Sequence, residues 1–409
     1  MLPQIADVVI IGGGVIGTSI VYYLANRGLN VVLLEKEGIG SKTSSAGEGV
    51  IFLQLKKPGI HLKIAMESLK QYKKLRDELD YDIEFSNRGT MLIIQNDEEF
   101  EAMRNHTKNL REEGLPLKLL DRKEAREIEP ELSESIYGAT FSPLDAQVNP
   151  MNFSFAMANS AMKMGANILP YTEVLGIKVK KGKINEVVTN KGNISTNIVV
   201  NAAGIFAPNI GKMVNVNIPI TPRRGQLLVT EVVPKILNRP VTSARYLAIK
   251  YNPDIAQIAA DKAAAIEPTE NGNLLIGSTR EFVGFNYYTT FEGIKDIAEN
   301  AIAMVPKLKN VSIIRTFAGL RPYTVDGLPI LGKVDNLEGF IMAAGHEGDG
   351  IALAPITGEL IAELIATGRT RIDLSKFSLE RFKWINIIFK KFALLTKYLY
   401  FSCKNFFNI

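Results

Sequence analysis

The run Gly12-Gly13-Gly14-Val15-Ile16-Gly17 carries the most specific chemistry in the sequence. It has the spacing G-x-G-x-x-G, directly after the β-branched segment Asp7 to Ile11 and before the apolar positions Ile16, Ile20, Tyr23 and Leu24. In a strand–turn–helix unit the three glycines do different things. Gly12 permits the tight turn, Gly14 lets backbone approach a pyrophosphate, and Gly17 lets helix and strand pack closely. The helix start then offers free amides and a partial positive charge to phosphate. Glu35 lies 18 residues past Gly17, at the end of a second apolar run, Asn30 to Glu35. A carboxylate there can accept both ribose hydroxyls. The following loop holds Ser41, Thr43, Ser44 and Ser45, suited to a phosphate or ribityl chain and equally to a polar turn. These residues point to a bound dinucleotide. They do not choose between NAD and FAD.

Other chemistries are thinly provided for. One cysteine, Cys403, excludes an internal disulfide framework, and three histidines leave little for a metal, so no metal site is expected. No residue pair suggests nucleophilic catalysis. A reducing, cytoplasmic setting fits the cysteine usage.

The elements that must position these groups follow from periodicity. Asp7 to Ile11 and Asn30 to Glu35 read as strands joined by a helix, a βαβ unit with a right-handed crossover. Helical spacing recurs over 61–79, roughly 97–113, a stretch ended by Glu129-Pro130, from Pro150 at its first-turn position to Met164, near 291–304, and within 340–366. Strands are expected at Gly89 to Ile94, Glu173 to Lys180, Glu186 to Thr189, ending at Val200, and through most of 219–317. Glu270-Asn271-Gly272 between two apolar runs predicts a hairpin. His346 to Ile351 is a glycine loop entering an apolar helix, with Asp349 placed to cap it. Nucleotide-type segments at both ends therefore enclose a β-rich middle.

Several motifs in order, from about residue 6 to residue 383, resemble the D-amino-acid-oxidase-type flavoenzymes, in particular the branch with glycine oxidase, sarcosine oxidase β subunits and hydrogen cyanide synthase. They are Gly12 to Gly17 with Glu35, Tyr171-Thr172-Glu173-Val174, Asn201-Ala202-Ala203-Gly204, Ala318-Gly319-Leu320-Arg321-Pro322, Asp326 to Gly332, and Gly345-His346-Glu347-Gly348-Asp349-Gly350. The resemblance implies non-covalent FAD. It implies that Val174 touches the adenine side, that Ala203 and Gly204 border the nucleotide, and that Thr43, Ser44, Glu48, Gly49 and Val50 line the cofactor. Val15, Ile16 and Lys36 join that set, as do His346, Glu347, Gly348, Asp349, Gly350 and Ile351, where the helix start would face the flavin pyrimidine edge and stabilise its anion. Arg321 resembles the arginine that grips the substrate carboxylate through two oxygens. Its structural alternative is a salt bridge to an acid such as Asp326. Gly348 stands where glycine oxidase carries an additional basic residue, a departure that weakens a specific claim for glycine. Arg245, Tyr246, Lys250 and Tyr251 lie in the substrate half and suit either substrate or solvent.

The implied architecture is α/β. A Rossmann-like FAD-binding domain comprises 1–83, 146–218 and 318–383, interleaved with a β-rich antiparallel substrate domain of 84–145 and 219–317. The implied reaction oxidises the C–N bond of a small amino acid or secondary amine by hydride transfer to flavin N5, giving an imine that hydrolyses. The alternative is an FAD-bearing subunit that passes electrons to a partner. A flavin reductase or monooxygenase using NAD(P)H would need a second glycine-rich fingerprint, and none is present.

The chain has 409 residues, 46% hydrophobic and 22% charged, with net charge +5. Six of its basic residues (Arg381, Lys383, Lys390, Lys391, Lys397, Lys404) follow residue 380 with no acid among them, leaving residues 1–380 at −1. Nothing here suits nucleic acid. Within 384–409 the lysines recur every seven residues beside an apolar stripe of Ile385, Ile388, Phe392, Leu395 and Leu399. That is a basic amphipathic tail, suited to the inner face of a membrane, a partner subunit, or the body of the protein.

Overall fold

The computed structural model describes residues 2–247 and 263–383. The tail 384–409, with Cys403, and the candidates Lys250 and Tyr251 lie outside the described residues.

Val8–Ile11 sits inside a six-stranded sheet in the order Ile330–Lys333, Phe340–Ala344, Val199–Asn201, Val8–Ile11, Val31–Leu34, Asn167–Leu169. The pairings are parallel except at the edge strand Ile330–Lys333. Every residue of Val8–Ile11 and Val31–Leu34 is buried, because the sheet is covered on both faces. Val8, Ile10, Val31 and Leu33 pack on helices, while Val9, Ile11, Val32 and Leu34 pack toward Ile177, Val187 and Ile194 of a three-stranded sheet. The two-residue side-chain period divides one strand between two cores.

Helix Val15–Ala25 lies on this sheet against helices Pro150–Lys163 and Gly350–Thr367. Gly358 makes the last approach possible, since a Cβ there would strike Ser19 backbone at 2.7 Å. By length and composition Gly350–Thr367 is apolar enough to cross a membrane, but 56% of it is buried inside the protein, as in a core helix. Pro355 lies within it and has no N–H to donate to Ile351. The Tyr72 hydroxyl, from helix Ile60–Glu78, donates to that Ile351 carbonyl instead at 2.6 Å.

The second large sheet has eight strands in the order Ile313–Tyr323, Thr221–Thr230, Leu274–Gly277, Ala265–Pro268, Val241–Ser243, Thr90–Ile94, Gly138–Ser142, Lys118–Asp121. It draws on both segments of the expected β-rich region. The hairpin at Glu270-Asn271-Gly272 joins Ala265–Pro268 to Leu274–Gly277. Two details differ from expectation. One pair, Val241–Ser243 with Thr90–Ile94, is parallel, which strands so distant in sequence can adopt because no tight turn links them. The strand Ile313–Tyr323 also runs unbroken across residue 318, where the sequence reading divided two segments, because Thr221–Thr230 pairs along its length.

Candidate functional site

The first turn of helix Val15–Ala25 borders a cavity of about 240 Å³. Gly12 turns the chain at φ +113°, a conformation that excludes most side chains, while a Cβ would also press within 2.5 Å of the Ala202 carbonyl. A Cβ on Gly17 would overlap the Gly12 carbonyl oxygen, so Gly17 serves packing and is not in the cavity wall. Gly14 is in the wall, and the nearest atom to its absent Cβ is Ser44 Oγ at 3.0 Å. Ser44 Oγ accepts from Val15 N at 3.0 Å. Glu35 is fixed from both sides, its Oε2 accepting from Gly13 N at 2.7 Å and its Oε1 from Glu37 N at 2.8 Å. Each oxygen keeps lone-pair capacity for a ligand hydroxyl.

The same cavity brings together Gly12, Val15, Ile16, Lys36, Thr43, Val174, Ala203, Gly204, His346, Glu347 and Gly350. A glycine cradle, a fixed carboxylate and a helix start around one cavity fit a dinucleotide. Lys36 lies 3.8 Å over the Phe206 ring, which also forms wall. Ser45 is excluded, since its hydroxyl faces solvent and donates to the Lys42 carbonyl.

A second cavity of about 100 Å³ shares Val15, Thr43, Ser44, Glu347 and Gly350 with the first. Glu48, Val50, Gly348, Asp349 and Ile351, expected along the cofactor, line this second cavity and not the first, together with Arg321. Gly49 lines neither. Its N–H is held by the two oxygens of buried Glu267, at 3.1 and 3.0 Å.

Arg321 comes from the strand Ile313–Tyr323, where it stands opposite Arg223. Its Nη1 donates to the Thr279 carbonyl at 3.0 Å and its Nη2 to Ser278 Oγ. A Cβ on Gly225 would collide with the guanidinium nitrogens, so that glycine makes the room Arg321 occupies. Asp326 is not its partner. That acid is taken by Arg381 at 2.6 Å, and no carboxylate among the described residues forms an ion pair with Arg321.

The loop at 346–349 also differs from the sequence reading. Asp349 occupies the N-cap position, but its side chain makes no cap bond. It turns to Lys56 Nζ at 2.6 Å and His61 Nε2 at 3.3 Å, all three groups being buried. Glu347 is buried between Arg280 Nη1 at 2.6 Å and Arg223 Nη1 at 3.6 Å. Burial, followed by the Arg280 charge, lowers Arg223 to about 10. His346 Nε2 lies 3.1 Å from Thr357 Oγ1, and burial pushes its imidazole down to about 3, so it remains neutral near pH 7. Burial raises the Glu48 carboxyl above the usual carboxylate range, with Arg321 and Arg280 acting in the opposite direction. Arg245 is paired with Glu99 at 2.6 Å and does not line either cavity, whereas Tyr246 lines the second under Arg280, 4.4 Å from its ring.

Sequence reasoning missed Lys56, Gly225, Arg223 and Arg280. Their partners lie on other elements, and only an arginine ending an apolar strand, as Arg280 does after Leu274–Gly277, was available as a signal. No group of residues suited to a metal occurs among the described residues.

A family model described as FAD dependent oxidoreductase (DAO) matches residues 7–364. Among curated relatives, the hydrogen cyanide synthase subunit HcnC of Pseudomonas aeruginosa is 31% identical, covering 92% of this chain and 96% of its own. A glycerol 3-phosphate dehydrogenase of Caloramator mitchellensis is 32% identical over 90% of this chain and 75% of its own. Among solved structures, L-proline dehydrogenase from P. horikoshii superposes with TM-score 0.85 at 31% identity, covering 93% of this chain and 99% of its own. Glycine oxidase from Geobacillus kaustophilus gives 0.83 at 30% identity, covering 92% and 98%.

Proposed function

Because the chain belongs to the DAO family of FAD-dependent oxidoreductases, we propose that it oxidises the C–N bond of a small amino acid or secondary amine to an imine, which water then hydrolyses. The observation that carries this reading is Arg321, a guanidinium facing a small cavity beside the cofactor cavity, held in place by neutral acceptors and unpaired with any described acid. A partly buried guanidinium so arranged favours a carboxylate ligand, and its planar fork orients that ligand by two points.

Bound FAD supplies the hydride acceptor. Gly14, Ser44 and the first turn of helix Val15–Ala25 would hold its phosphates, and Glu35 its ribose. Arg321 would anchor the carboxylate and so fix where the α-carbon lies. The start of helix Gly350–Thr367 adds partial positive charge at the junction of the two cavities. The buried Arg280–Glu347 pair braces that loop.

The test is Arg321→Lys, which keeps the charge and loses the two-point grip. The apparent KM for an amino acid should rise roughly tenfold or more with FAD content unchanged, and Arg321→Met should be worse. Equal turnover of an amino acid and its decarboxylated amine by the parent enzyme would refute the carboxylate role.

A second reading, an FAD-bearing subunit that passes electrons to a partner, is favoured by the exposed aromatic residues Phe285, Tyr288 and Phe291. A relative named as a subunit supports the same reading. The proposed setting is cytoplasmic, with 384–409 at the inner membrane face or on such a partner.

A further inference from the structure

Glu48 has a buried Oε1 with no hydrogen-bond partner, in the wall of the cavity that also holds Arg321. The backbone beside it is fixed, because Glu267 grips Gly49 N. A carboxylate withdrawn from water needs either a proton or a cation. The Arg280 and Arg321 charges act on Glu48, yet no side chain among the described residues forms an ion pair or hydrogen bond with its Oε1, since Arg280 bonds Glu347 and Arg321 bonds Ser278 and Thr279.

We propose that the Glu48 carboxylate binds the ammonium group of the substrate while Arg321 binds its carboxylate, so that Glu48 selects amino acids over the corresponding hydroxy acids. This rests on the reading above and narrows it. Glu48 and Arg321 line the same small cavity, so the ammonium and carboxylate of one small α-amino acid have a group of opposite charge each. A hydroxyl in place of the ammonium brings no charge and one donor, and it leaves the buried carboxylate uncompensated. Within a family that also contains a glycerol 3-phosphate dehydrogenase, a chain needs some group to decide between nitrogen and oxygen at the oxidised carbon.

The experiment uses full-length FAD-loaded protein under anaerobic conditions. Flavin bleaching is titrated with glycine, sarcosine and L-proline, and flavin absorbance perturbation with acetate, which has a carboxylate and no amine. Glu48→Gln should raise the amino-acid concentration for half-bleaching at least tenfold. Acetate binding should stay within about threefold of the parent or tighten, since a repelling charge is gone. Glu48→Asp should recover part of the loss. Unchanged bleaching by amino acids in Glu48→Gln overturns the role of Glu48 alone. Equal weakening of acetate and amino acid overturns it too, as damage to the whole site. A parent protein bleached by lactate or glycerol 3-phosphate, and by none of the amines, overturns the C–N reading itself.

Discussion

Glu267 shows how a single buried side chain sets a pH dependence. Burial, then the neighbouring Glu48 charge, push its carboxyl up to about 8, against hydrogen bonds from Gln147 and Gly49. From about 4.5, its ordinary value, to about 8 the folded protein therefore holds a proton that the unfolded chain releases. Stability from this group is full below that window and falls as pH rises through it. Glu267→Gln removes the titration, so the variant should gain on the parent between about pH 4.5 and 8 and stop gaining above. Urea unfolding at several pH values reads this, and a gap that stays constant with pH would show that Glu267 ionises normally. His346 acts in the opposite sense: its depressed imidazole stays neutral down to about 3, so its contribution is lost as pH falls below its ordinary 6.5.

At the scale of elements, the turn between Val8–Ile11 and Val15–Ala25 holds the cofactor cavity open through what its glycines omit. Gly14→Val would put a branched side chain against Ser44 Oγ and into the cavity, and purified protein should carry no FAD. Glu35→Ala should weaken FAD less, since it removes acceptors without filling space. A fully yellow Gly14→Val protein, or unchanged FAD affinity in Glu35→Ala, would remove these assignments. The start of Gly350–Thr367 obeys a different logic. Asp349 gives up capping to neutralise Lys56 in the interior, a pairing that two buried charges require more than a helix end requires one bond.

For the whole molecule, the basic cluster that the sequence places after residue 380 begins with two residues that the described structure pairs with acids. Of the six basic residues from Arg381 onward, Arg381 is paired with Asp326, and Lys383 contacts Glu380 at 2.5 Å and Asp335 at 3.5 Å. The four remaining lysines all lie in 384–409. If that segment is an interfacial helix, full-length protein should sediment with anionic phospholipid vesicles at low salt and be released at high salt. Exposed charge is screened over roughly 8–10 Å at ordinary ionic strength. Protein ending at residue 383 should stay in the supernatant. If full-length protein also stays there at low salt, the membrane role fails.

The sequence by itself determined whatever depends on near neighbours. Gly12, Gly14 and Gly17 specify their turn through φ and close approach, and the unbroken apolar runs Val8–Ile11 and Val31–Leu34 specify strands buried on both faces. The hairpin at Asn271-Gly272 and the proline-led helix at Pro150 are equally local. Only the tertiary structure decided which charges meet. Lys56 and Asp349 are 293 positions apart, and Arg280 reaches Glu347 across 67. No periodicity records such a pairing, because burial of an ion is settled by whichever opposite charge the packed core brings within reach. For the same reason the sequence could place Glu48 near the cofactor and not distinguish one cavity from the next. Which wall a side chain joins is fixed by strands and loops that the chain assembles from its two ends and its middle.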